Sequence, residues 1–180
     1  CSLHDKASSR HQAGMPRWLT PPTPERWRKA AQVLVSCGAV TQTDTPPLEP
    51  GEPLPVTAAG RRMSRLPIDP AIAAVLLAAK TRHERVVLVA MAAVFENGSP
   101  SLTESTDLFD AAAELIGDRR RSDFPREVHE ARRQLDQMLA GDPLPEGRGG
   151  DDADLRREVT AAWMRVFGHR IAARERRSSL

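Results

Sequence analysis

Arginine is the residue type in this chain whose spacing suits the binding of a ligand, because several arginines lie close together in the second half of the sequence. Exposed arginines near helix ends can neutralise phosphates, and such binding weakens as salt is added. The competing interpretation is a solvated, arginine-rich helical surface, which is favoured for any single cluster. The candidate phosphate contacts are Arg119, Arg120 and Arg121 at a turn between helices, Arg132 and Arg133 one helix later, and Arg170, Arg174, Arg176 and Arg177 near the end.

Motifs for catalysis or cofactor binding are missing beside these arginines. The sequence has no Gly-x-x-x-x-Gly-Lys-Ser/Thr loop, no Gly-x-Ser-x-Gly elbow, no His-Glu-x-x-His pair and no Cys-x-x-Cys. Cys1, His4 and His11 have a spacing that fits no structural zinc site. We therefore expect no catalytic residue, no cofactor site and no metal site in this chain.

Three other features have a structural interpretation that outweighs the chemical one. The acidic run at 151–154 could bind a divalent cation, but it is better suited to the positive end of a helix. Cys37 is best interpreted as a small buried apolar residue. Trp27 and Trp163 lie on apolar helical stripes, which favours core packing over stacking on nucleic-acid bases.

Length and composition limit the class of protein. The chain has 180 residues and a net charge of +2, and it is 40% hydrophobic but only 4% aromatic. This supports one domain or two small ones with an aliphatic core, and the mild basic charge permits nucleic-acid binding. Two cysteines do not make a disulfide framework, so we expect a cytoplasmic location. The longest apolar run, 86–95, is too short to span a bilayer, so we expect no membrane partner.

Apolar spacing and capping residues predict a mostly α-helical fold, with seven helices and one small proline-rich β-hairpin. Thr23, Thr57 and Asp69 each have a side chain suited to cap a following helix, and Gly38 is predicted to end the first helix in a left-handed conformation. Ser122 or Asp123 is predicted to cap the sixth helix, with Pro125 in its first turn, and Ser101 and Glu104 have capping-box spacing upstream of the fifth. The predicted apolar faces are Trp27, Ala30, Ala31 and Leu34; Ala59, Met63 and Leu66; Ile72, Val75, Leu76 and Ala79; Leu108, Ala112 and Leu115; Val128, Ala131, Leu135 and Met138; and Leu155, Val159, Ala162 and Val166.

Two regions need more than periodicity. The run at 86–95 is apolar on every side, which suits a buried strand or a buried helix, and its length favours a helix. Short strands at 39–40 and 54–56 are predicted to pair across the loop at 41–53, which has four prolines and three acids.

Certain stretches carry a resemblance to a known family. Residues 18–22 (Trp-Leu-Thr-Pro-Pro) and 37–40 (Cys-Gly-Ala-Val) are followed by 56–70, which includes Gly-Arg-Arg-Met and Leu-Pro-Ile-Asp-Pro in fixed order. These stretches resemble the helicase-associated region of DEAH-box ATP-dependent RNA helicases. The later runs at 130–135 and 167–172 look like the bacterial HrpB-type members.

This resemblance implies a winged helix followed by a helical ratchet bundle that forms one wall of a channel for single-stranded RNA. The domains would be 1–16, disordered or linker; 17–69, winged-helix-like; 70–140, ratchet-like bundle; 141–153, linker; and 154–180, C-terminal helix and basic tail. Motor domains of the parent chain would supply ATP and Mg²⁺ chemistry, and the partners would be those domains and single-stranded RNA or DNA. The nucleic-acid contacts expected here are Arg119, Arg120, Arg121, Arg132 and Arg133.

Two other functions remain open at this point. A free-standing winged-helix module would place Arg61, Arg62 and Arg65 in the major groove of duplex DNA. A helical interaction scaffold would use its arginines only to stay solvated, and it would bind neither RNA nor DNA.

Overall fold

The computed structural model describes residues 19–41, 54–97, 107–117, 124–147 and 152–168. Within these ranges the fold is mostly α-helical, as predicted, and it contains seven helices and no β-strand. The helices are α1 (Pro24–Ser36), α2 (Ala58–Met63), α3 (Pro70–Leu77), α4 (Arg82–Asn97), α5 (Leu108–Ile116), α6 (Arg126–Leu139) and α7 (Asp152–Phe167). None of the described helices is both long and apolar enough to cross a membrane.

The central element is α4, in which residues 87–94 are all buried. A helix that is apolar on every side needs neighbours all round. Helices α5 and α6 make the largest interfaces with α4, and α3 and α7 also contact it. The prediction that the run at 86–95 is a helix is therefore confirmed, and its all-round apolarity is explained by this position.

The predicted caps of the first three helices are all present. The hydroxyl of Thr23 caps α1, and the hydroxyl of Thr57 accepts a hydrogen bond from the amide of Gly60 at 2.9 Å. The carboxylate of Asp69 accepts one from the amide of Ala71 at 2.7 Å. Each cap satisfies an amide that has no partner inside its helix.

Two later helices begin differently from the prediction. Helix α5 is capped by the carboxylate of Asp107, which accepts a hydrogen bond from the amide of Phe109 at 2.9 Å. Helix α6 starts at Arg126, so Pro125 is its N-cap and lies just before its first turn, with no side-chain cap. The residues that were predicted to cap or precede these helices, Ser101, Glu104, Ser122 and Asp123, lie outside the described residues.

Three predicted face residues are exposed, and the prediction is wrong for them. Ala30 and Ala59 face solvent, although Ala31, which was predicted on the same face as Ala30, is buried as expected. Met138 is 49% exposed, and Leu139 is buried instead. A helix has 3.6 residues per turn, and on this spacing Leu139 lies nearer than Met138 to the centre of the apolar face of α6.

A single antiparallel bridge stands where the hairpin was predicted. It joins Val40 to Val56, and the amide of Thr41 donates a hydrogen bond to the carbonyl of Pro55 at 2.9 Å. Residues 42–53, the loop between them, lie outside the described residues. The described residues therefore contain one antiparallel bridge at this place and no strand.

Helix α2 approaches this bridge closely at Gly60. A Cβ atom there would lie 2.0 Å from the carbonyl oxygen of Ala39, so no other residue fits without movement of the backbone. The Ala39 carbonyl also accepts a hydrogen bond from the amide of Thr57 at 3.0 Å. Gly38, just before it, has a φ of +72°, as the predicted left-handed helix end requires.

The Gly60 contact predicts a large effect of one methyl group. Replacing Gly60 by alanine is expected to lower the free energy of unfolding by about 2 kcal/mol or more, because backbone must move away from backbone. Urea denaturation monitored by circular dichroism measures this. Gly141→Ala is the control, since nothing lies within 4 Å of a Cβ at that position. Equal stabilities of the two variants would contradict the contact.

Candidate nucleic-acid interface

Only part of the predicted arginine set can be placed. Arg132 and Arg133 lie in the middle of α6, within the described residues. The other candidates lie outside them: Arg119, Arg120, Arg121, Arg170, Arg174, Arg176 and Arg177, together with Cys1, His4, His11 and Asp151.

Arg132 and Arg133 point in different directions, although they are adjacent in sequence. The guanidinium of Arg132 donates a hydrogen bond to the carbonyl oxygen of Leu115 at 2.8 Å, and its Nε lies 3.8 Å from the carboxylate of Asp136. Its side chain is only 16% exposed. Because the last carbonyls of a helix have no partner inside it, this bond helps to end α5. Arg132 is thus engaged within the fold.

Arg133 is exposed and makes no ion pair with the described residues. It borders a shallow surface depression of about 410 Å³ on α6. Arg126 lies at the same depression and forms an ion pair of 2.8 Å with Glu130. The described residues that line it are Arg126, His129, Glu130, Arg132, Arg133 and Asp136. Arginines outnumber acids there, which favours an anionic ligand.

A second basic surface lies on and just after α2. From the sequence, its arginines were expected to contact only duplex DNA. Arg61, Arg62 and Arg65 are all exposed. Arg61 donates a hydrogen bond to the carbonyl of Val56 at 3.1 Å, which fixes its direction. Arg62 forms an ion pair with the carboxylate of Asp142, from the segment after α6. We call Arg61, Arg62 and Arg65 the α2 basic surface.

Residues 141–147, here called the strap, contain that acid and were predicted to be part of a linker. Arg85 of α4 holds the start of the strap in place. Its guanidinium donates to the carbonyl of Leu139 at 2.9 Å and to the carbonyl of Asp142 at 2.5 Å. Its Nε is buried without a hydrogen-bond partner among the described residues, and burial lowers the pKa of Arg85.

The other end of the strap is fixed to the beginning of α4. The amide of Arg82 donates to the carbonyl of Pro145 at 2.8 Å, and its guanidinium pairs with Glu146 at 2.7 Å. Gly147 has a φ of +91° and would place a Cβ 3.0 Å from the side chain of Thr81. The glycines and prolines of the strap thus lie in a segment that makes specific contacts with α4.

The carboxylate of Asp142 has the most distinctive electrostatic environment of this surface. The hydrogen bond from Arg62 is the main cause that lowers the pKa of Asp142, and the charges of Arg62, Arg85 and Arg65 lower it further. Three guanidinium groups therefore act on one carboxylate. The positive charge of the surface exceeds the negative charge that balances it.

A separate set of charged side chains joins α7 to α5. Arg156 pairs with the carboxylates of Asp107 and Asp110, and its guanidinium lies 4.8 Å from the centre of the Phe109 ring. Burial raises the pKa of Asp107, but the hydrogen bonds from the Phe109 amide and from Arg156 outweigh it and leave the pKa lowered. These arginine contacts stabilise the fold and leave Arg156 little freedom for a ligand.

Trp163 and Cys37 pack against the apolar core. The ring of Trp163 lies 5.4 Å from that of Phe95 and 5.3 Å from that of Phe167, against the core. Trp27 is half-buried on α1. Cys37 packs against the core, and burial raises the pKa of its thiol, so the thiolate is disfavoured.

The acids at the start of α7 lie where they were expected. Asp152 and Asp154 are in its first turn, near the positive end of the helix dipole, and Asp154 pairs with Arg157. Among the described residues, no three potential metal ligands lie close enough to hold an ion.

Comparison with protein-family models, with curated proteins and with solved structures finds no match for this chain. The class of protein that the fold and the surfaces define is a mostly helical bundle with exposed arginine surfaces on α2 and α6.

Arg132 and Arg133 of α6 predict different effects of mutation on stability. Arg132→Ala is expected to lower the free energy of unfolding by about 1 to 2 kcal/mol, because it removes the donor to the Leu115 carbonyl. Arg133→Ala should change it by less than about 0.5 kcal/mol, since an exposed side chain is removed. Chemical denaturation measures both values. A destabilised Arg133→Ala protein with an unaffected Arg132→Ala protein would contradict the assignment.

The Asp142 pair predicts a pH dependence of stability. The pKa of the Asp142 carboxyl is lower in the folded state than in the unfolded state. The contribution of the pair to the free energy of unfolding is therefore complete above the pKa of the unfolded state, about 4, and is lost as pH falls through the pKa of the folded state. The pair is about half exposed, so the contribution is below about 1 kcal/mol. Asp142→Asn should therefore lose less stability than the wild type between neutral and acidic pH. Parallel denaturation curves, with the same loss for both proteins, would argue against it.

Proposed function

We propose that this chain is the accessory nucleic-acid-channel region of a bacterial DEAH-box ATP-dependent RNA helicase of HrpB type. The observation that carries the proposal is the local structure of residues 56–70, where the sequence resemblance is strongest. Thr57 caps α2, Gly60 touches the Ala39 carbonyl, and Asp69 caps α3. Each of these motif residues has a role in joining α1 and α2 to the bundle that follows.

The finer architecture is part of the same proposal. Residues 17–69 would be the winged-helix unit, with the Val40–Val56 bridge in its wing. Residues 70–140 would be the ratchet-like bundle. The bundle is well suited to a channel wall because its centre, α4, is enclosed by other helices and cannot deform easily.

The proposed RNA contacts are the arginines of the bundle. Arg133 is exposed at the α6 depression, and Arg119, Arg120 and Arg121 precede the same helix in the sequence. Arg132 would act mainly by holding α6 against the end of α5. The chemistry of ATP hydrolysis would belong to motor domains of a parent chain, with this region limiting backward slippage of the strand.

Binding to labelled single-stranded RNA, measured by fluorescence anisotropy over a range of salt concentrations, tests the proposal. We expect weak binding that falls with salt by about 0.7 in log K per log salt for each phosphate contacted. Arg133→Ala and the triple alanine variant of residues 119–121 should each bind more weakly. Arg26→Ala on α1 is the matched control, since it removes one exposed arginine elsewhere.

Three results would contradict this function. ATP hydrolysis by the purified chain would mean that it contains its own motor. Tight, sequence-dependent binding to duplex DNA that depends on Arg61 and Arg65 would favour the free-standing winged-helix module. Negligible, salt-independent affinity for both RNA and DNA would favour the interaction scaffold.

A further inference from the structure

We propose that the α2 basic surface is a second phosphate-contacting site for single-stranded RNA, and that Asp142 of the strap occupies it as an internal competitor. The inference rests on the proposed RNA-binding function and extends it to a surface and a regulatory contact that this function does not require.

The charge balance of the surface is the first reason. Within the described residues, the α2 basic surface makes one ion pair, between Arg62 and Asp142. Arg61 bonds to a backbone carbonyl, and Arg65 has no ion pair with a described residue. Positive charge therefore exceeds negative charge here even with Asp142 in place, which leaves the surface attractive to an anion.

The position of Asp142 is the second reason. A carboxylate oxygen on an arginine guanidinium takes the same kind of hydrogen bond that a phosphate oxygen would take. Its pair with Arg62 is roughly half exposed, at 48% and 43% for the two side chains. Exposed pairs of this kind are weak, so a phosphate that arrives from solution can replace the carboxylate.

Arg85 makes such a replacement possible without unfolding the strap. It binds the backbone carbonyl of Asp142, not its carboxylate, and also the carbonyl of Leu139. The strap is further held by Arg82 through Pro145 and Glu146. The Asp142 side chain can therefore leave Arg62 while the backbone that carries it stays in place.

The path of a strand between the two surfaces favours RNA over a compact anion. From Arg133 to Leu139 the axis of α6 advances about 9 Å. Asp142 follows the end of α6 by three residues, and its pair with Arg62 places the α2 basic surface beside that end of the helix. A flexible chain of phosphates that contacts Arg133 could continue past the end of α6 to the α2 basic surface.

The test compares Asp142→Asn with Glu146→Gln, because each removes one acid of the strap from one arginine. Binding of labelled single-stranded oligouridine is measured by anisotropy from low to moderate salt. Asp142→Asn should raise the affinity about twofold to fivefold, the equivalent of one exposed ion pair. It should also steepen the slope of log K against log salt concentration by about 0.7, which is the value for one more phosphate contact. Glu146→Gln should change neither.

A double substitution shows whether the gain passes through the proposed partner. Adding Arg62→Ala to Asp142→Asn should remove the gain, because no guanidinium is then released. Urea denaturation of Asp142→Asn checks that the strap and bundle remain folded. The inference is overturned if both strap variants gain equally, if Arg62→Ala leaves the gain intact, or if the gain appears for anionic lipid vesicles and not for RNA.

The failure of this inference can be told apart from that of the proposed function. If the wild type binds RNA through Arg133 while Asp142→Asn binds no better, only the second surface is rejected. If neither protein binds RNA at any salt concentration, the proposed function is rejected together with it.

Discussion

The burial of α4 on every side is the constraint on which the rest of the fold depends. Residues 87–94 are all buried, so no face of this helix is left for water. Burial of large aliphatic side chains contributes about 1.5 to 3 kcal/mol each, and this is available only when neighbours cover the whole circumference. Helices α3, α5, α6 and α7 provide that cover, and each must therefore turn an apolar stripe inward.

The same packing determines which arginines bond to backbone carbonyls and which remain exposed. Packing around α4 brings the ends of other helices close to its flanks, and those ends have carbonyl groups without partners inside the helix. Arg85 reaches the carbonyls of Leu139 and Asp142, and Arg132 reaches that of Leu115. An arginine in such a position stabilises the bundle. Arginines further from helix ends, such as Arg133, remain exposed to solvent.

Much of the fold was predictable from local signals. The caps Thr23, Thr57 and Asp69 act within three residues of their own position, so the sequence nearby is sufficient to recognise them. The all-round apolar run of α4 was likewise recognisable by its length. Errors arose at the edges of the predicted apolar faces, as at Ala30 beside the buried Ala31, because the angle at which helices cross is set by distant residues.

The candidate site was less predictable, and for a related reason. Arg132 and Arg133 are the same residue type at adjacent positions, and only the end of α5 nearby distinguishes them. The strap was predicted as a linker because its glycines and prolines break helices. Its partners, Arg62, Arg82 and Arg85, are far away in the sequence, so no local pattern could identify them.

The contact between Gly60 and Ala39 connects these observations to function. Because α2 lies directly on a backbone carbonyl, its backbone at Gly60 has little room to move toward the bridge beside it. Asp142 is held from the other side by Arg85, through backbone bonds that do not involve its carboxylate. The backbones of α2 and of the strap are thus both held in place, and the exposed ion pair between Arg62 and Asp142 is the weak contact between them. A ligand that competes for Arg62 acts on that pair alone, so binding there has a low conformational cost.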